Sequence, residues 1–187
     1  MKKLLSSSIV IVSSKGANTH EEQYKILIAA YSQTEKEIWG ENYVRISEEE
    51  YKELIEREYV FTAHLNGEVV GTILLSKQNE TTFSFGLLAV DFSKKGLGIG
   101  RKLVSHAEQA ALKLGAKEMT LEILKPKNQH APFKQQLAEW YERQGYEYMY
   151  SADFLELKPT KIEKAKQLIT PAVFDCYRKE LSYDSLA

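Results

Sequence analysis

L-L-A-V-D-F-S-K-K-G-L-G-I-G-R-K-L, from Leu87 to Leu103, decides how the rest of the chain is read. An apolar run closes at Val90, a polar turn follows, and glycines stand at the alternate positions 96, 98 and 100. Arg101 and Lys102 come next, at the head of an amphipathic pattern that includes Leu103, Val104, Ala107 and Ala111. The spacing predicts a strand, a tight turn and a helix. Glycines allow the bend and let a ligand reach the backbone without meeting a Cβ. The first turn of a helix carries unpaired N–H groups and the positive end of the dipole. Such a turn suits a phosphate or pyrophosphate, and Lys94, Lys95, Arg101 and Lys102 add positive charge around it. The dinucleotide fingerprint does not fit, because Arg101 stands where its last glycine would be. The P-loop fails as well: Gly96 and Gly100 are too close together, and Leu103 stands where a magnesium-binding Ser or Thr is needed.

The chain has 187 residues and a net charge of -1, long enough for one domain with a full core, and we read residues 1–187 as that domain. The near-neutral charge does not favour nucleic-acid binding. One cysteine, Cys176, excludes an internal disulfide and fits a reducing compartment. No Cys, His and acid cluster has metal-ligand spacing, so no metal is expected. The start, M-K-K-L-L-S-S-S, only faintly imitates a signal peptide, and no apolar run approaches membrane-spanning length. A cytoplasmic protein without a membrane partner is expected.

Around the central stretch the pattern predicts a strand at 9–13, one helix over 21–39 and a second helix starting at the Ser47–Glu50 capping box. Strands at 60–65 and 68–76 flank Asn66-Gly67, a hairpin signal. Strands at 82–90 and 118–124, joined by the helix after the glycine turn, are expected to lie parallel. A helix over 133–144 follows, closed by Gly145. Tyr146–Phe154 and Leu155–Leu157 read as strand, residues 161–168 as a short helix and 173–181 as a last strand.

Two motifs in this frame resemble those of the Gcn5-related N-acetyltransferases, the GNAT superfamily. Ala89-Val90 followed by Lys95-Gly96-Leu97-Gly98-Ile99-Gly100 resembles its motif A, Gln/Arg-x-x-Gly-x-Gly/Ala after a strand, with Lys95 in place of Gln or Arg. Tyr141-Glu142-Arg143-Gln144-Gly145-Tyr146 resembles its motif B. The resemblance covers nearly the whole chain and is specific between Leu87 and Tyr146. It implies an α/β (α+β) GNAT fold: a mixed central sheet of about seven strands, helices on both faces, and a central parallel pair that splays apart.

The resemblance also implies acetyl-CoA as cosubstrate and a primary amine, on a small molecule or peptide, as acceptor. Backbone groups of Leu88, Ala89 and Val90 would pair with the pantetheine arm as an added strand does. The Val90 amide would stabilise charge on the thioester oxygen, and the amides from Lys95 through Gly96, Leu97, Gly98, Ile99 and Gly100 to Arg101 would hold the pyrophosphate. Tyr141 matches the family's tyrosine acid, a group suited to protonating the departing thiolate. The base is open at this stage. Ser84 falls where one branch of the family has a glutamate. Glu122 on the 118–124 strand is the first candidate, His130 the second because imidazole suits proton transfer near neutrality, and a water chain the third. Lys134 stands where family members often carry a cofactor-contacting Asn, and could reach a CoA phosphate instead.

Glutamates 48, 49, 50, 53, 56 and 58 make the second helix acidic, either as a solvated face with favourable charge near the helix start or as a field that attracts a cationic acceptor. The tyrosines at 146, 148 and 150 could wall a ligand, and the last strand could pair across a homodimer. The alternatives to an enzyme are a non-catalytic acyl-CoA-binding or sensing domain, motivated by Ser84, and a different phosphate-ligand module that would prefer ATP or NAD.

Overall fold

A computed structural model describes residues 8–186. The M-K-K-L-L-S-S segment read against a signal peptide lies outside the described residues. The elements are β1 (Ile9–Ser13), α1 (His20–Thr34), α2 (Lys36–Trp39), α3 (Glu48–Arg57), β2 (Tyr59–Leu65), β3 (Glu68–Lys77), β4 (Thr82–Val90), α4 (Ile99–Lys113), β5 (Glu118–Pro126), α5 (Pro132–Glu142), β6 (Glu147–Asp153), α6 (Phe154–Leu157), α7 (Ile162–Ala165) and β7 (Ala172–Glu180). Seven strands form one sheet in the order β1-β2-β3-β4-β5-β7-β6. Every neighbouring pair is antiparallel except β4 and β5.

Helices cover both faces, and strand alternation shows which residues meet them. Phe61 and Ala63 of β2, with Ile73 and Leu75 of β3, pack in one cluster with Leu103, Val104, Ala107 and Ala111 of α4. Their neighbours Val60 and Leu74 point the other way, into a cluster with Leu27 of α1 and Tyr51 and Ile55 of α3. A third cluster joins Trp39 of α2, Phe154 of α6 and Phe174 of β7. At Gly71 of β3 an added Cβ would lie 2.9 Å from the Ala89 carbonyl oxygen and 3.0 Å from the Leu103 side chain. The sheet and α4 therefore meet there backbone to side chain, with no room for a methyl.

Local signals account for several boundaries. Asn66 and Gly67 both have positive φ, as a type I′ turn requires. Ser47 and Glu50 form the reciprocal capping box of α3.

Two expectations need correction. The single helix over 21–39 is two helices, because Glu35 (φ -120, ψ 11) leaves helical geometry and turns its side chain into the protein. Leu155–Leu157 is not strand. Asp153 and Glu156 make a capping box there and start α6. The sheet order adds what no local pattern contained, the insertion of β7 between β5 and β6.

The central parallel pair separates. β4 and β5 share register only at Thr82↔Glu118, Phe83↔Met119 and Ser84↔Thr120. Beyond that β5 stays with β7 along its whole length, to Pro126↔Ala172. β4 stays with β3 but takes an extra residue between the Leu74↔Gly86 and Thr72↔Ala89 pairs, where Leu87 has φ 48. The bulge bends β4 and reverses its facing: Phe83 and Phe85 pack on the α4 side, Leu87 and Ala89 on the α1 side. Among the described residues, no helix is long and apolar enough to cross a membrane.

Candidate active site

The gap between the two strands is the candidate site. It is a cavity of about 280 Å³ walled by Leu88, Ala89 and Val90 of β4, Leu121 to Leu124 of β5, Tyr31 and Thr34 of α1 with Glu35 behind them, and Lys134 and Tyr141 of α5. A second cavity of about 270 Å³ shares Thr34, Phe92, Lys95, Phe133 and Lys134 with it. Across the gap, Phe85–Val90 and Leu121–Pro126 are not paired with each other. An extended ligand arm can therefore add to a strand edge inside the protein.

The glycine turn stands at one end. Gly98 holds φ 74 at the N-cap of α4, a left-handed conformation that disfavours side chains, and no side chain caps the helix. The first-turn N–H groups thus lack a side-chain acceptor, and a Cβ at Gly96 or Gly98 would meet nothing within 4 Å. That is open backbone at a positive helix end, which suits an anion. Lys95 lines both cavities, while Leu97, Arg101 and Lys102 are exposed and Ile99 is buried under the turn. A Cβ at Gly100 would touch the Trp140 ring at 3.5 Å, so α5 leans directly on the turn's helix.

Tyr141 lies on the α5 wall, 6 % exposed, its ring 5.7 Å from Phe85 and 6.0 Å from Tyr146. Among the described residues its hydroxyl has no hydrogen-bond partner. Burial, then the neighbouring Tyr31, pushes this phenol well above its ordinary range, so it stays protonated.

The remaining candidates fare differently. Glu122 lines the cavity from β5 and pairs with Lys158 at 2.7 Å, each about one third exposed. His130 is exposed on the loop before α5 and does not line the cavity. Lys134 is not extended toward a phosphate. It is 8 % exposed, with its ammonium 3.2 Å from the Glu35 carboxylate. Ser84 lies in the zipped part of the strand pair and accepts a hydrogen bond from Gln78 at 2.7 Å. None of the α3 glutamates lines the cavity. Glu48 and Glu53 pair with Lys52 and Arg57 along the helix, and Glu50 serves the cap. Tyr146 is no ligand wall: it is buried and donates to Glu108 at 2.7 Å, while Tyr148 and Tyr150 are exposed on the edge strand β6.

Sequence reasoning missed Glu35 and Tyr31 entirely, because the apolar stripe of α1 hid the break at Glu35. A charged residue one turn before a buried Trp39 was the only available signal. Among the described residues no group of three His, Cys, Asp or Glu side chains could hold a metal ion.

Comparison with known proteins agrees with this geometry. No curated protein matches the chain. The fold is shared with solved structures, among them an IAA acetyltransferase from Bacillus cereus (22% identity, 93% of this chain and 100% of that one, TM-score 0.61). A GNAT family acetyltransferase from Elizabethkingia anophelis with acetyl-CoA bound is 16% identical over 92% of this chain and 98% of that one, with TM-score 0.65. An aminoglycoside 6'-N-acetyltransferase complexed with coenzyme A is 17% identical over 91% and 96%, with TM-score 0.68. At these identities the likeness concerns the fold. The model of the acetyltransferase (GNAT) family matches residues 22–151, more than half of the chain, and spans both walls of the cavity. The chain therefore belongs to the acetyltransferase (GNAT) family.

Proposed function

We propose that the protein transfers the acetyl group of acetyl-CoA to a primary amine by direct attack. The observation that carries this reading is the gap between β4 and β5, with an uncapped glycine turn at one end and Tyr141 on its wall. Two solved relatives of the same fold carry acetyl-CoA or coenzyme A, which supports the cosubstrate. The sheet draws strands from Ile9 to Glu180, which supports reading the chain as one domain.

In this reading the amides of the turn between Lys95 and Arg101 bind the pyrophosphate, and the unpaired edge of Leu88–Val90 receives the pantetheine arm. The amine nitrogen attacks the thioester carbon. The Val90 amide faces the oxygen on which negative charge develops. The carbon–sulfur bond then breaks and the ammonium proton leaves, to Glu122 directly or through water. Tyr141 offers its hydrogen to the sulfur as the thiolate forms. A phenol raised by burial gives up its proton less readily than a free one, so it acts chiefly by hydrogen bonding to the charged sulfur. His130 has no part in this scheme, and Lys134 serves the cavity wall through Glu35 rather than the phosphates.

Calorimetric titration with acetyl-CoA, followed by thiol release over a panel of primary amines, tests the proposal. Saturable heat and amine-dependent release support it. Titration without heat ends it, and binding without release under any amine favours the non-catalytic acyl-CoA-binding reading.

A further inference from the structure

One wall of the cavity carries a buried charge imbalance. Glu35 is its only buried carboxylate, and both of its oxygens are engaged, Oε1 by the Lys134 ammonium at 3.2 Å and Oε2 by the Trp39 indole N–H at 3.0 Å. Two more cations stand around it. The Arg45 guanidinium lies 5.3 Å over the ring of Tyr31, a residue that lines the cavity. Lys164 donates to the Arg45 carbonyl at 2.8 Å and lies 5.4 Å from the Tyr43 ring. The Glu35 charge acts on Arg45, so these groups form one electrostatic unit. One buried carboxylate thus faces three cations, with the exposed Glu50 acting on Lys164 from outside. Within the unit the Arg45 Nε and the Tyr43 hydroxyl are buried without hydrogen-bond partners, and Tyr43 is 8 % exposed.

The other charges around the cavity do not cancel this surplus. Glu122 is matched by Lys158. Asp91 also lines the cavity and keeps its negative charge, its contact being with the neutral Ser93 N–H at 2.9 Å. Lys95, at the glycine-turn end, offsets Asp91. A buried positive surplus is unfavourable unless an anion completes it, and one held just behind a cavity wall draws anions from solution. Lys134 has three donors and uses one on Glu35, so it has hydrogens to offer at the wall.

We propose, resting on the acetyl-transfer reading above, that the acceptor is an amine that also bears a carboxylate, an amino acid, and that Lys134 backed by Arg45 selects it. The carboxylate meets the Lys134 ammonium beside Tyr31, and the amine is left facing the thioester. Polyamines and other purely cationic acceptors have no carboxylate to offer the Lys134 ammonium.

The test is thiol release by the whole protein with acetyl-CoA, each L-amino acid being run against its own carboxamide. The expected result is kcat/KM about 10- to 100-fold higher for the carboxylate of at least one pair, the discrimination expected of a matched charged contact. In the double variant Glu35→Gln with Lys134→Met, which strands neither partner, that ratio falls to near one. Should the variant not fold, inhibition of the wild-type protein by N-acetyl amino acids, compared with their amides, repeats the comparison without substitution. Amides turned over as well as acids, polyamines preferred to both, or no amino acid turned over at all overturns the proposal. Heat with acetyl-CoA and turnover of other amines in those cases leaves the acetyl-transfer reading standing. Absence of heat fails both.

Discussion

The two ends of the β4–β5 pair each hold a buried lysine–glutamate contact, and the contacts are built differently. At the zipped end Lys179, opposite Met119 in register, places its ammonium 2.9 and 3.0 Å from the two oxygens of Glu108. Tyr146 donates to the same carboxylate at 2.7 Å, and the set is complete: one cation, one anion, one hydroxyl. At the open end Lys134 touches one oxygen of Glu35, with Arg45 and Lys164 crowding behind. The first arrangement locks α4 to β7 and the start of β6. The second leaves charge uncompensated beside a cavity. Burial of an ion pair alone therefore does not mark function, and under the proposal above it is the unbalanced pair beside a void that meets a ligand.

The largest expected effect separates the two contacts directly. Lys179→Met leaves Glu108 buried without its cation and should cost about 3–5 kcal/mol of stability, measured by urea denaturation. Lys134→Met should cost clearly less, because Arg45 and the Trp39 indole still face Glu35. Equal losses would erase the distinction drawn here.

Next in size is Tyr141→Phe at the open end. Under the proposed mechanism it removes the hydrogen offered to the leaving sulfur and should lower kcat about 100-fold, with acetyl-CoA affinity within a few-fold of wild type by calorimetry. A variant with full turnover would reduce Tyr141 to packing.

Gly98→Val should act on binding rather than fold. Its left-handed backbone disfavours a branched side chain by about 1–2 kcal/mol, and the turn would relax to avoid it. Acetyl-CoA should then bind about tenfold more weakly, while Lys179→Met leaves affinity per folded molecule unchanged.

The smallest effect is a pH slope. Burial first, then Arg45, lowers the Lys164 ammonium to about 8. Between that value and the ordinary lysine range the unfolded chain holds a proton that the folded one has released, so stability gains from this group as pH rises through the window. Denaturation midpoints at pH 8 and 10 should show wild type gaining relative to Lys164→Met; the reverse sign would mean the ammonium is stabilised where it sits.

Much of this was legible before the structure. Asn66-Gly67, the Ser47–Glu50 box and the glycines at 98, 115 and 145 act through their own backbone geometry, so sequence spacing suffices to find them. The order of strand, glycine turn and helix is equally local, and it led to the glycine-turn end of the cavity. The rest depends on distant partners. Glu35 and Lys134 are 99 residues apart, and nothing near Glu35 punctuates the helix as Gly or Pro would. The bulge at Leu87 has no glycine at its positive φ, so counting along β4 from Val90 to Ser84 crossed a reversal of faces unseen. The insertion of β7 beside β5 is set by long-range pairing, which no window of sequence records.

The bare backbone at Gly71 has a consequence for tuning. α4 seats on β3 with a shim of zero thickness, and a methyl there would press against Leu103, Ile99 and the Ala89 oxygen. Any residue bigger than hydrogen would jack up the near end of that helix and tip the loop fused to it. Coenzyme grip and thioester aim would drift together from a strand that touches neither, so position 71 is the levelling screw of the whole mount.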